Sequence, residues 1–150
     1  MAEFLSGRYW PTKFGYRFGK KPGRVLAKIG YLLAKQGRKP ADYQRSFKGT
    51  LVSYLPTANH VPFLRVYIHE CLAFMTGIQA DYSGTRYRVK GGVCQADDET
   101  WAAFEELYGL NRDDERLFAV KVRDHLRGGR FGFLDSWEVE VMHHIDFLLE

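Results

Sequence analysis

A chain of 150 residues, 45% hydrophobic and 15% aromatic, has enough apolar mass to bury one ordinary core and too little length for two full domains, so residues 1–150 are expected to form a single domain. Its net charge of +4 conceals a division: the first fifty residues hold twelve Lys/Arg against two acids, and the last hundred hold ten against sixteen. The apolar runs are far shorter than the roughly 20 residues of a membrane span, so no membrane association is expected, and Cys71 and Cys94, in a chain read as lacking a secretory leader, are expected to be reduced thiols of a cytoplasmic protein.

In residues 13–19, Phe14, Tyr16 and Phe18 alternate with Gly15, Arg17 and Gly19, a period of two that predicts one strand with an aromatic face and a basic, glycine-rich face. Pro22 suits a first helical turn, and Gly37 with Pro40 can close a helix over 22–36. On that helix Val25, Leu26, Ile29, Leu32 and Leu33 share a packing face, while Arg24, Lys28, Tyr31 and Lys35 form a cationic stripe around a tyrosine. Residues 50–55 are expected as a strand before the turn-rich 56–59. The segment 62–76 is apolar nearly all round and predicts a buried central helix ended by Gly77.

Residues 86–90 and 93–96, separated by Gly91 and Gly92, read as a hairpin. Asp97 or Asp98 is expected to cap a helix reaching Tyr108, Asn111 to cap one over 112–127, and Asp135 with Glu138 to open a last helix over 136–149. The expected fold class is α+β: a helix-rich single domain with a small antiparallel sheet and a buried central helix, its basic third packed on a more acidic helical remainder.

Such a concentration of cations repels itself unless anions are near, and a polyanion supplies them, with counterion release as the driving force. The expected function is therefore that of a small non-enzymatic nucleic-acid-binding protein. Lys13, Arg17, Lys20, Lys21, Arg24, Lys28 and Lys35 are its candidate phosphate contacts, and Tyr16, Phe18 and Tyr31 its candidate base-stacking rings. An acidic protein surface is the other expected partner. Between residues 97 and 115 eight acids face one base. Helix capping accounts for the acids at 97–99 and 113–115, so Glu105 and Glu106, with Asp113 and Asp114 of the same patch, are the candidates for a basic partner, or for the basic face of a second copy. The alternative function is a protein-binding modulator or inhibitor of a nucleic-acid-processing complex, working through either charged face. A third is a metal-independent nuclease with a histidine base.

Enzyme signatures are otherwise missing: the chain has no Walker-type loop, no Gly-x-Ser-x-Gly, no Cys-x-x-Cys and no His-Glu-x-x-His. No catalytic residue, metal site or cofactor is expected. His69, Glu70 and Cys71 diverge by about 100° each on a helix and cannot converge on one atom. Residues 130–134 resemble the aromatic strand of RNA-recognition-motif proteins. The glycine expected between the first two residues is absent, however, and Ser136 stands where an aromatic should recur, so Phe131 and Phe133 are read as core residues.

Overall fold

The computed structural model describes residues 3–4, 7–34, 40–82, 92–128 and 134–148. Among these the chain folds as a helix-rich α+β structure, with a small antiparallel sheet followed by six helices. Strands β1 (Glu3–Phe4), β2 (Gly7–Thr12) and β3 (Gly15–Lys20) lie in sequence order. The single strand expected over 13–19 is instead the turn and second strand of a β2–β3 hairpin, in which Tyr9 faces Phe18, Trp10 faces Arg17 and Pro11 faces Tyr16. The chain reverses at Lys13 and Phe14, and Gly15 follows with φ +111°, a conformation that glycine adopts without steric penalty. Thr12 Oγ1 closes the turn by donating to Gly15 O at 2.7 Å.

Helix α1 (Pro22–Ala34) begins on its proline, as expected, and buries Leu26 and Ile29. The strand expected over 50–55 is a correction: these residues belong to α2 (Pro40–Ala58). Phe47, Leu51 and Ala58 are buried, with Tyr54 and Leu55 partly so, a spacing of helical period that appears only when the window reaches beyond the β-branched run. Pro56 is tolerated inside the last turn of α2.

Helix α3 (Leu64–Phe74) packs through Leu64, Tyr67, Ile68 and Cys71, while His69, Ala73 and Phe74 remain exposed, so the central helix has one open side. Its C-terminal end is closed by Lys48, whose Nζ donates to the carbonyls of Met75 at 3.0 Å and Ile78 at 2.6 Å. The hairpin expected over 86–96 falls partly outside the described residues, and 93–96 carry no strand. Residues 130–133 of the aromatic segment also lie outside them, and Leu134 is buried.

The capping reading holds for α4 (Asp98–Tyr108) and α5 (Arg112–Arg127), which open on capping boxes at Asp97 and Asn111. Helix α6 (Trp137–Leu148) starts one residue later than expected. Ser136 Oγ, rather than Asp135, accepts from Val139 N at 3.3 Å, and Glu138 is buried against Lys121 at 2.6 Å instead of closing a box.

The core is an aromatic stack joining sheet to helices. Trp10 stacks on Phe104 at 5.9 Å, Phe104 on Phe63 at 5.3 Å, and Phe63 meets Phe118 at 5.2 Å. Beside it runs a buried polar knot. Asp146 accepts from Arg8 Nη2 at 3.1 Å, from Gly23 N at 2.8 Å and from the Tyr108 hydroxyl, so one carboxylate ties β2, α1 and α4 to α6. Burial, with the Asp146 charge adding to it, raises the Tyr108 phenol above its ordinary value.

Candidate nucleic-acid interface

The hairpin alternates as its sequence does, and the alternation decides which side chains meet solvent. Arg8, Trp10 and Thr12 point into the core, with Gly19 buried opposite them. On the opposite face lie Tyr9 and Pro11 of β2 with Tyr16 and Phe18 of β3. Tyr16 is 75% exposed, and Phe14 at the tip is 89% exposed. Tyr9 and Phe18 pair edge to face at 5.7 Å. The aromatic face is therefore the outer one, an outcome that a period of two alone does not decide.

The expected cations differ in exposure and in partners. Lys13 is exposed at the tip with its Nζ 5.1 Å from the centre of the Phe14 ring, and Lys28 is exposed on α1. Lys20 and Arg24 are half-buried. The Lys20 ammonium sits 4.6 Å over the Tyr54 ring, where burial lowers its pKa and raises that of the phenol. Arg17 donates to the carbonyls of Gly92 and Pro56, holding the neighbouring loop. Lys21 is a correction: at 1% exposure its ammonium does not meet solvent, because the chain turns inward there between β3 and α1. Lys35 lies outside the described residues, as does the side chain of Tyr31.

The tip is fixed to the acidic region. Lys13 N donates to Asp97 Oδ2 at 2.7 Å, while Asp97 Oδ1 caps α4 by accepting from the amides of Glu99 and Thr100. These bonds, that of Lys13 first, hold the Asp97 carboxyl below the usual carboxylate range. Thr100 Oγ1 also donates to Pro11 O at 2.7 Å. Charge patterning alone did not anticipate this tether, although Asp97 was legible as a cap.

Among the described residues, concavities lie on two sides of α4. In one, Pro11 and Tyr16 face Ala103, Glu106 and Leu107 across a groove of about 370 Å³. In the other, of about 410 Å³, Asp98, Glu105 and Asp113 surround Trp101, whose ring carries the Arg112 guanidinium at 5.6 Å. Of the four acidic candidates, Glu105 and Glu106 are exposed, Asp113 pairs with Arg116, and Asp114 serves the capping box of α5.

The histidines do not assemble a catalytic pair among the described residues. His60 is fully buried and held down to about 4, by burial first and by the charge of Arg17 second. His69 is exposed and bonded to Asn59 Oδ1. Burial pushes the Cys71 thiol up to about 12, and both cysteines are free. Among the described residues no three His, Cys, Asp or Glu side chains gather as a metal site, and no helix is long and apolar enough to cross a membrane. Comparisons with models of known families, with curated proteins and with solved structures find no match to this chain.

Proposed function

We propose that this protein binds single-stranded nucleic acid without transforming it, using the outer face of the β2–β3 hairpin to stack bases and the surrounding cations to hold phosphates. The observation that carries this reading is the outer row of Tyr9, Tyr16 and half-buried Phe18 with Phe14 at its end, in which the rings of Tyr16 and Phe14 are mostly uncovered. Rings exposed in this way gain by being covered, and each base stacked on an aromatic side chain contributes about 1–3 kcal/mol. Lys13 and Lys28 supply exposed positive charge, to which half-buried Lys20 and Arg24 add. Engagement of about four phosphates gives a slope of log K against log salt near −3 on a single strand.

The test is a fluorescence-anisotropy titration of labelled single-stranded RNA and DNA at low and moderate salt, repeated on the double variant Phe14→Ser, Tyr16→Ser. Both side chains are largely free of the core, so the variant keeps its fold. It is expected to bind about 10- to 100-fold more weakly with an unchanged salt slope. Absence of binding, a flat salt response or undiminished affinity in the variant overturns the proposal.

A second reading rests on the acidic cleft beside Trp101, where Glu105 is exposed and makes no ion pair among the described residues. That cleft suits a basic protein segment, including one from a second copy. Salt-sensitive self-association abolished by Glu105→Lys, measured by sedimentation, would favour it over the hairpin.

A further inference from the structure

The groove between the hairpin and α4 combines three features a nucleobase site needs. Tyr16 offers an exposed ring, and Pro11, Ala103 and Leu107 supply apolar contact. Glu106 adds a carboxylate that is exposed and makes no hydrogen bond or ion pair among the described residues. The volume of about 370 Å³ falls within the usual span of small-molecule pockets, about 300–1,000 Å³. Among the described residues β1 pairs with Gly7 and Arg8, and Pro11, further along β2, has no amide hydrogen to present.

A lone carboxylate beside a surface that receives phosphates is a repulsive element unless it meets donors. Ionised, it accepts only, through two oxygens side by side. Among the common bases, guanine alone presents two adjacent donors on its pairing edge, N1–H and the N2 amino group. Adenine and cytosine place a ring acceptor beside their amino donor, and uracil flanks its single N–H with two carbonyls. Each of these turns at least one lone pair toward the carboxylate.

We propose that this groove is a guanine-selective subsite, in which the base stacks on Tyr16 and its N1–H and N2–H donate to the two oxygens of Glu106. The inference rests on the single-strand reading above and adds base identity to it. Pro11 is held at the rim by the Thr100 hydroxyl, and Lys13 by Asp97, so the stacking wall and the carboxylate-bearing helix are fixed relative to each other.

The test uses the full chain and short labelled oligouridines carrying one central guanine, adenine, cytosine or inosine, titrated by anisotropy. The guanine oligomer is expected to bind about tenfold or more tightly than the adenine and cytosine ones, with inosine, which lacks the N2 amino group, in between. Glu106→Ala, at an exposed position and therefore folded, is expected to bind all the oligomers with similar affinity while keeping the salt slope. Equal binding of every oligomer by the wild-type chain, or a guanine preference that survives in Glu106→Ala, overturns the subsite and leaves the single-strand reading standing. Failure to bind any oligomer overturns both. Direct binding of a labelled arginine-rich peptide that is lost in Glu106→Ala, while the oligomers bind the two proteins alike, gives the groove to a basic protein segment and also overturns the subsite.

Discussion

Lowering the pH from about 7 to about 5 is expected to remove about 2 kcal/mol of folding stability through His60 alone. Its ring is fully buried and lies against the backbone of Arg17 and Phe18, and neither ring nitrogen makes a well-aligned hydrogen bond within the described residues. Burial and the Arg17 charge both oppose a second positive charge, so the folded-state value falls from 6.5 to about 4. Between those two values the unfolded chain takes up a proton that the native chain refuses, and stability drops as pH falls through this window. The contribution is complete above about pH 6.5 and lost below about pH 4. The whole gap is worth about 3 kcal/mol, of which about 2 is spent by pH 5. Urea midpoints measured across this range for the wild type and for His60→Gln provide the assay, because the variant cancels contributions from the other histidines. The wild type should lose about 2 kcal/mol more than the variant, and the His60 ring resonances should titrate near pH 4. Parallel pH profiles for the two proteins, or a midpoint near 6.5, would refute the reasoning.

Asp146→Ala should be the most damaging polar substitution, costing about 3–5 kcal/mol in chemical denaturation, because it strands the buried Arg8 charge and removes acceptors from Gly23 and Tyr108. Gly23→Ala should unseat α1 from α6: a β-carbon there would be driven into the backbone of Met142 and His143, and a loss of about 1–3 kcal/mol with altered near-ultraviolet dichroism is expected. Asp97→Ala should lower the thermal unfolding midpoint through the lost helix cap, and faster amide exchange at Lys13 should report the released hairpin tip.

Local chemistry made much of the helical half legible. Asp97 and Asn111 opened their helices where side-chain acceptors and spacing said they should, and Pro22 marked the start of α1. The failures share a physical cause, which is that short windows cannot see tertiary demand. Residues 50–55 look β-prone by composition, yet the stripe from Phe47 through Leu51 to Ala58 needs a helix to face the core. Several cations of the basic third are engaged within the protein: Arg8 meets Asp146, Arg17 and Lys48 cap carbonyls, and Lys21 is buried. Counting charges along the chain could not separate these from Lys13 and Lys28, because their partners lie far away in sequence.

The hairpin bears on function because its register leaves no freedom. A slip of one residue would turn Tyr9 and Pro11 inward and carry Arg8, Trp10 and Thr12 outward. Asp146 would then lose its cation, and the stack of Trp10 on Phe104 and Tyr108 would be dismantled. The inner face therefore dictates that positions 9, 11, 16 and 18 point away from the core, but it does not dictate what occupies them. A ribbon with threonine at those positions would pair equally well and expose less apolar surface. Folding thus accounts for Arg8 and Trp10 completely and for Tyr16 and Phe14 hardly at all. Rings that the core neither needs nor covers are the residues whose identity a ligand would explain, which is why the binding tests begin with them.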